Sequence, residues 1–531
     1  MRAPLVRRLA AGLCLLGVLT LPEPWATGIT VSLAGMMLGR RLVRAALRRR
    51  HVRTQALEPG AVRLGRDATG AAVGLSELQL GAHALVVGAS GAGKSTTLQT
   101  ILADRIARGH PVVAIDMKGS PSFAHQLAVA AHRAGRPLRV WTPEGPSHWN
   151  PLAHGGPTAL KDRLISAERF SEPHYQRAAE RYLQTALQVL VASHPERPPV
   201  LPEVVAALEP GTLRALARGA PPALADRVGS YLEGLTPDQL SAARGLATRL
   251  ALLSESDAGR WLAPGPPGSA APDIDLGRAL AGSDPTRPVV LLSINSSIYG
   301  SLGAQLGALA VQDLTSAAGR RLGLRGDVRL NDPAARASGA GGQVAPGPES
   351  RPAATVALDE FSALGADNVL SLLARGREAG VSVLLATQEL ADLERAGRGF
   401  RDQVLGITAV TLAHRQEVHE SALAISRMAG TRLVWRETRP NPTPPRPLGG
   451  AGARHAGTRH QHEEPVVHPN AIKRLGTGQL VLLTGVPRPI AARVQVEPPR
   501  ASAEDGRPAR RLRRIRTAVR DEAQAAPGVT R

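Results

Sequence analysis

The chain has 531 residues, which is enough for two or three domains with substantial cores. Aromatic residues make up only 2% of it, so aliphatic side chains must form those cores; the single cysteine excludes a disulfide framework within one chain and indicates a reducing compartment. The formal net charge of +21 fits a polyanionic partner, nucleic acid or an anionic lipid surface, but it also fits a general preference for arginine with much of the charge in tails.

Two apolar stretches open the chain, Leu9 to Leu21 and Trp25 to Leu38, with a proline-rich break between them. Each would be about 20 Å long as a helix, and flanking arginines that reach the interface could extend both across a hydrocarbon core of roughly 30 Å. Basic residues at both outer ends favour a hairpin with both ends in the cytoplasm. We therefore predict a membrane anchor and basic collar over residues 1–54, with two short transmembrane helices near 6–21 and 25–43.

A cleaved signal peptide is the alternative for this N-terminus, because a basic start precedes a short apolar run. No small-x-small cleavage site follows Leu21, however. The anchor therefore remains the prediction.

Past the collar, a small leading segment of short strands and turns is followed by aliphatic runs that alternate with helical patterns. This alternation indicates an α/β fold with a parallel-rich central sheet, and the continuously apolar runs suit strands that are covered on both faces. The predicted strands are Ala84–Val87, Pro111–Ile115, Leu138–Trp141, Val289–Ile294, Thr355–Leu358, Val381–Ala386, Ala409–Ala413 and Gln479–Thr484.

A long stretch between the third and fourth predicted strands has helical rather than strand periodicity. We predict that residues 155–285 form an inserted all-α domain, which would divide the sheet domain into segments 55–154 and 286–498.

Three polar or small-residue segments lack any periodic pattern. We predict disordered loops near 323–354 and 439–464 and a disordered basic tail over 499–531. Four histidines in or near the second loop invite a metal-binding interpretation, but their Gly, Arg and Glu surroundings give them no fixed spacing on any element, which favours a flexible polar loop: His455, His460, His462 and His468.

The segment after the first predicted strand matches the phosphate-binding pattern G-x-x-x-x-G-K-[ST] at every position, and a helical pattern opens directly after it. Glycines let backbone N–H groups wrap a phosphate, Lys94 would reach the β- and γ-phosphates, and Ser95 would ligate Mg²⁺. Lysine occurs only four times in this arginine-rich chain, which suits a cradle that a planar guanidinium would not fit. The pattern predicts a site for ATP and Mg²⁺ formed by Gly88, Ala89, Ser90, Gly91, Ala92, Gly93, Lys94, Ser95 and Thr96.

A later apolar strand ends in Asp359 and Glu360, where a P-loop ATPase holds its second metal contact and its catalytic base. Asp359 would accept a water of the Mg²⁺ shell, and Glu360 would polarise the attacking water. Acidic residues at strand ends are common, so this interpretation depends on the phosphate-binding pattern upstream.

Two further polar residues complete the predicted site. Gln388 follows the next strand and could position water or report the state of the nucleotide to a neighbouring subunit. Arg377 follows a helix and is the candidate for an arginine finger that acts on a neighbour's γ-phosphate, with Arg375 as its competitor.

With these motifs in place, the chain resembles the TraG/TraD group of type IV coupling proteins, relatives of the FtsK and HerA translocases, over about residues 80–150 and 285–495. The order and spacing of several short elements carry the resemblance. They are Ile115-Asp116-Met117-Lys118-Gly119, Trp149-Asn150-Pro151-Leu152, Leu358-Asp359-Glu360-Phe361, Gly376-Arg377, Ala386-Thr387-Gln388 and Gly476-x-Gly478-Gln479.

The resemblance implies a RecA-like P-loop NTPase at the cell membrane, with its ATPase domain in the cytoplasm. It also implies a homohexamer that uses ATP hydrolysis to move DNA, independently of sequence, toward a conjugation channel, with relaxosome and channel components as partners. An ATP-switched membrane receptor for protein substrates is one alternative. An FtsK/HerA-like translocase in chromosome segregation is the other.

Overall fold

The structure is a computed structural model that describes residues 57–168, 170, 172–269, 271–331, 354–438 and 458–499. The predicted membrane hairpin and collar, and all but the first residue of the predicted basic tail, lie outside these ranges. Within them, no helix combines the length and the apolar composition needed to span a membrane.

In the described residues, eleven strands form one mixed sheet. Seven neighbouring strands are parallel: β11 (Val410–Ala413), β3 (Ala84–Val87), β10 (Val381–Thr387), β9 (Ala354–Asp359), β4 (Val112–Asp116), β8 (Val289–Ser293) and β5 (Leu138–Trp141). Antiparallel strands extend the sheet beyond β11: β14 (Gln479–Thr484), β15 (Ile490–Val496), β1 (Val62–Asp67) and β2 (Ala72–Leu75). All the predicted strands are confirmed to within a residue at either end, and so is the predicted parallel-rich α/β class.

Helices cover both faces of the sheet because its strands are apolar on both sides. Successive residues of β3 alternate between two apolar clusters, with Leu85 in one and Val86 in the other. The second cluster is covered by α2 (Lys94–Ala107) and α3 (Pro121–Arg133), through side chains such as Leu98. Burial of each such side chain contributes about 1.5–3 kcal/mol relative to its exposure, so both layers stabilise the edge where the parallel strands end.

Six helices occupy the described chain between β6 (His148–Trp149) and β7 (Asp273–Ile274), two short strands that pair with each other. Proline lies in the first turn of each, where its missing N–H is not needed and its fixed φ suits the helix. Leu187 and Leu246 share an apolar cluster with Leu292 of β8, so these helices pack as one core with the sheet. They are α4 (Pro157–Ser166), α5 (Pro173–Ser193), α6 (Leu201–Ala207), α7 (Pro210–Ala217), α8 (Pro222–Glu233) and α9 (Pro237–Ser254).

The remaining helices connect strands or flank the site. They are α1 (Glu77–Gly81), α10 (Leu276–Ala281), α11 (Ser296–Asn331), α12 (Ala366–Glu378), α13 (Leu390–Ala396), α14 (Phe400–Ile407), α15 (His419–Met428) and α16 (Pro469–Lys473), with 3₁₀ turns at Gly259–Trp261 and Phe361–Leu364. A kink at Gly300, where φ is 48°, divides α11 near its start.

Two predicted disordered loops are wrong in their described parts. Residues 323–331 continue α11, although the Gly, Ala, Pro and Ser content of the whole segment 323–354 suggested a loop. Residues 458–464 belong to β13 (Thr458–Pro465), which pairs along its whole length with β12 (Thr431–Thr438). These two strands form a separate hairpin in which Arg436 makes an ion pair with Glu464. β13 contains no aliphatic or aromatic residue, and Leu433 and Trp435 of β12 are exposed, so the hairpin does not alternate buried apolar with exposed polar residues.

Candidate functional site

The phosphate loop, residues 88–95, joins the carboxyl end of β3 to the first turn of α2. Gly91 and Gly93 have φ angles of 72° and 113°, which residues with a side chain rarely adopt. Gly93 is the N-cap of α2, so the free N–H groups of the helix face the loop. The amino group of Lys94 folds back and donates to the carbonyl of Gly88 at 2.6 Å. These features form the geometry in which a phosphate group is held by backbone N–H groups and one ammonium.

The acidic pair lies at the carboxyl end of β9. Only β10 separates this strand from β3, which leads into the phosphate loop. Asp359 is adjacent in register to Ala386 of β10 and to Asp116 of β4. Burial raises the pKa of Asp359 to about 7, and the negative charges of Asp116 and Glu360 act in the same direction, while Lys94 opposes them. Carboxylates this close together favour the binding of a cation.

Glu360 is held in one orientation by its backbone and by Gln388. Its φ of 55° turns the chain sharply after β9. The side-chain amide of Gln388 donates to Glu360 Oε1 at 2.8 Å. The backbone carbonyl of Gln388 also accepts the N–H of Gly88 at 3.1 Å. Gln388 therefore contacts both the candidate base and the first residue of the phosphate loop.

These elements enclose a cavity of about 230 Å³, which we call the nucleotide cavity. It contains most of the residues predicted from the two motifs, together with two that the motifs did not include, Lys118 and Thr477. Its lining consists of Ser90, Gly91, Gly93, Lys94, Ser95, Thr96, Lys118, Asp359, Glu360 and Thr477. Ala89 and Ala92 are buried behind this lining and contribute backbone to the loop.

The donor set fits a nucleotide-bound divalent cation. The hydroxyl of Ser95 and the carboxylate of Asp359 both line the nucleotide cavity. Among the described residues, no cluster of three or more His, Cys, Asp or Glu side chains could hold a metal by itself. Mg²⁺ bound with a nucleotide needs only one or two protein oxygens, because phosphates and water supply the others. Ser95 and Asp359 match that requirement.

Arg377 is not brought to this cavity within the chain. It lies in the last turn of α12, which leads into the start of β10, whereas Gln388 follows the end of that strand. A strand of this length separates the amino and carboxyl ends of the parallel strands by roughly 20 Å. Arg375 lies in the same turn, and both side chains are exposed. Either arginine could act only on the cavity of another copy.

The histidines 460 and 462 lie on β13, and His468 caps α16, where its Nδ1 accepts the N–H of Asn470 at 3.1 Å. His455 lies outside the described residues. The described histidines therefore have structural positions on a hairpin and a helix start.

The motifs missed His414, a fully buried residue directly after β11. Its Nδ1 donates to the carbonyl of Gln479 at 3.0 Å, and its Nε2 therefore accepts from the hydroxyl of Thr97 in α2 at 2.9 Å. A Cβ at Gly88 would lie 2.5 Å from the Cβ of His414, so the loop packs directly against this residue. The sequence feature that could have identified His414 is its position, because it is a polar residue at the carboxyl end of a buried parallel strand.

The late glycine pair also belongs to the site. Gly478 donates its N–H to the carbonyl of Ala92 at 2.9 Å, and a Cβ on Gly93 would lie 3.0 Å from the Cα of Gly478. Only glycines permit this close approach of two loops. The element Gly476-x-Gly478 therefore closes the phosphate loop from the side of β14.

Two family models match segments of the chain. Residues 353–477 match the model described as the TraM recognition site of TraD and TraG, and residues 43–124 match the FtsK/SpoIIIE family. No curated protein sequence matches the chain. The predicted resemblance to coupling proteins and FtsK-type translocases is confirmed by these two matches.

Solved structures of the bacterial conjugative coupling protein TrwB share the fold. The unbound form, TrwBdeltaN70, has a TM-score of 0.56 and 16% identity, covering 85% of this chain and 92% of that one. TrwB with ADP and Mg²⁺ has a TM-score of 0.52 at 16% identity, covering 85% and 91%. TrwB with the non-hydrolysable analogue ADPNP has a TM-score of 0.53 at 16% identity, covering 85% and 92%.

Proposed function

We propose that this chain, related in sequence motifs and fold to the TraG/TraD coupling proteins and to FtsK, is an ATPase that moves DNA, alone or as nucleoprotein, toward a type IV secretion channel. One observation carries the proposal. The nucleotide cavity unites Lys94 and Ser95 of the phosphate loop with Asp359 and Glu360 from a strand far along the chain. This set of groups supports hydrolysis of a nucleoside triphosphate.

The residues of the chain divide the work of hydrolysis. The N–H groups of residues 88–95 and the ammonium of Lys94 bind and orient the phosphates. Glu360, fixed by Gln388, orients a water and accepts its proton as the water adds to phosphorus. Ser95 and Asp359 would hold Mg²⁺, which would supply charge neutralisation at the phosphates.

The position of Arg377 supports a ring of subunits. This exposed arginine lies at the sheet edge opposite the nucleotide cavity of its own chain. In a hexamer it would reach the γ-phosphate of the neighbouring subunit, and hydrolysis would then change contacts between subunits. The hexamer is part of the proposal, as is the role of Arg377.

The anchor and the partners complete the proposal. Residues 1–54 would hold the ring at the cell membrane as a helical hairpin, with the ATPase domain in the cytoplasm. The net charge of +21 suits sequence-independent contact with DNA phosphates. The match of residues 353–477 to a TraM recognition site supports a relaxosome partner.

An ATPase assay of the purified full chain, with and without DNA, tests the proposal. We expect DNA to stimulate hydrolysis, and we expect the stimulation to fall steeply with salt because released counterions drive DNA binding. Lys94→Ala should abolish turnover while the far-UV circular dichroism spectrum stays unchanged. An ATPase rate that DNA does not change at low salt would instead favour an ATP-switched receptor for protein substrates.

The FtsK/SpoIIIE match over residues 43–124 supports a second candidate, a translocase that acts in chromosome segregation. The two candidates differ in their need for a mobile element. Loss of conjugative transfer without a segregation defect in a strain that carries Lys94→Ala would favour the coupling protein; a segregation defect alone would favour the translocase.

A further inference from the structure

The loop that follows β4 is fixed by its own hydrogen bonds. The two carboxylate oxygens of Asp116 accept the backbone N–H groups of Lys118 at 2.9 Å and Ser120 at 2.6 Å. Gly119 has a φ of 66°, and a Cβ there would lie 2.9 Å from the Cβ of Asn295. The backbone that carries Lys118 therefore has one defined conformation, and its side chain starts from a fixed point.

Lys118 lines the nucleotide cavity as an exposed cation. No ion pair involving Lys118 occurs within the part of the chain that the structure describes. Lys94 lines the same cavity, so the two ammonium groups lie in one electrostatic environment. An anionic phosphate group that contacts either ammonium group is stabilised by the charge of both.

The distribution of lysine along the chain is informative. Of 65 basic residues, only Lys94, Lys118, Lys161 and Lys473 are lysines. Two of these four line the nucleotide cavity. Of the others, Lys161 pairs with Asp162 at 2.7 Å, and Lys473 ends α16. A compact ammonium binds a phosphate as a point charge where a wide guanidinium fork would not fit.

The strand order indicates which phosphate Lys118 can reach. The sheet runs from β3 through β10 and β9 to β4, so the strand before Lys118 lies about 14 Å from the strand before the phosphate loop. The acidic pair of β9 lies between them. A triphosphate whose β-phosphate rests in the loop would extend its terminal phosphate toward β9 and β4. Because Lys118 follows β4, the terminal phosphate is the one that extends toward its side of the cavity.

We propose that Lys118 binds the terminal phosphate of the nucleotide and distinguishes triphosphate from diphosphate. This inference rests on the proposed ATPase function. During hydrolysis, water adds to the terminal phosphorus while the bond from that phosphorus to the β–γ bridging oxygen breaks. The bonding electrons remain on ADP, and the proton of water passes to Glu360 and then to solvent. Lys118 stabilises the negative charge of the transferred phosphoryl oxygens throughout.

The test measures the affinity of the full-length protein for ADP and for the non-hydrolysable triphosphate AMP-PNP, both with Mg²⁺. In Lys118→Ala we expect triphosphate affinity to fall about tenfold or more, since a charge-assisted hydrogen bond is lost, while ADP affinity stays unchanged. Lys161→Ala is the matched control, because it removes a lysine outside the cavity, and both affinities should be unchanged. Lys94→Ala should weaken both nucleotides.

Unchanged triphosphate affinity in Lys118→Ala, or equal losses for the two nucleotides, would overturn the inference. Thermal unfolding of the variants should match the wild type, because Lys118 is exposed. Failure of the ATPase proposal looks different: the wild type itself would bind neither nucleotide, or Lys94→Ala would keep its turnover. The two ideas can therefore fail separately.

Discussion

Acidification should destabilise the fold through His83, a fully buried histidine at the start of β3. Its Nδ1 accepts the backbone N–H of Val383 at 3.1 Å, and its Nε2 donates to the carbonyl of Leu373 at 2.9 Å. The neutral ring satisfies both neighbours, whereas a proton on Nδ1 would face the N–H of Val383. Burial lowers the pKa of His83 to about 4, and the positive charge of Arg377 acts in the same direction, against the bond to Leu373.

The sign and size of the effect follow from this pKa. The unfolded chain binds the proton with the ordinary pKa of 6.5. Because the pKa of the folded state is lower, the stabilisation is complete above pH 6.5 and is lost as the pH falls toward 4. Each pKa unit corresponds to about 1.4 kcal/mol, so His83 can remove about 3 kcal/mol at most. Domains are stable by about 5–15 kcal/mol, so this loss is large.

Urea unfolding of the wild type and of His83→Gln between pH 7.5 and pH 4.5 would measure it. Glutamine keeps one donor and one acceptor but does not titrate, so its variant should lose less free energy of unfolding over this range. His414, whose pKa burial also lowers to about 4, is present in both proteins and cancels in the difference. Equal losses in the two proteins would refute the assignment to His83.

Three further outcomes follow from packing. Gly88→Ala should weaken AMP-PNP binding and lower the free energy of unfolding by roughly 1–3 kcal/mol, because the added Cβ would lie 2.5 Å from the Cβ of His414; titration and urea unfolding check this. Arg163→Met should lower the free energy of unfolding by about 3–5 kcal/mol, because it leaves the buried carboxylate of Asp313, which lies 3.4 Å from Arg163, without its charged partner. The double variant Arg163→Met with Asp313→Asn should recover part of the loss. Trp435→Ala should change it by less than about 0.5 kcal/mol, because that ring is 63% exposed on the hairpin.

The strands of the central sheet were predictable because their environment is uniform. A strand such as β3 is buried at every residue and is therefore an unbroken apolar run in the sequence. β15 escaped prediction because its outer residues are exposed and only Val494 and Val496 are fully buried. The hairpin of β12 and β13 was missed for the same reason, since Leu433 and Trp435 of β12 are exposed and β13 is polar.

The phosphate loop was predictable because its chemistry is local. Gly93, Lys94 and Ser95 are consecutive, and a phosphate contacts them through a few neighbouring backbone groups. His414 and Gly478 act on the same loop from more than three hundred residues away, as the hydrogen bond between His414 and Thr97 illustrates. No local pattern marks such residues, since their role depends on which strands become neighbours.

The sequence by itself determined the class of fold, the parallel strands and the phosphate-binding motif, because periodicity and short-range backbone geometry depend on adjacent residues. Tertiary structure alone decided which distant groups meet. Strand order placed Asp116 beside Asp359 and set Lys118 across the cavity from Lys94, and it sent Arg377 to the opposite edge. Parallel strands carry their ends to one shared edge, so function there depends on the order of strands, which sequence separation does not reveal.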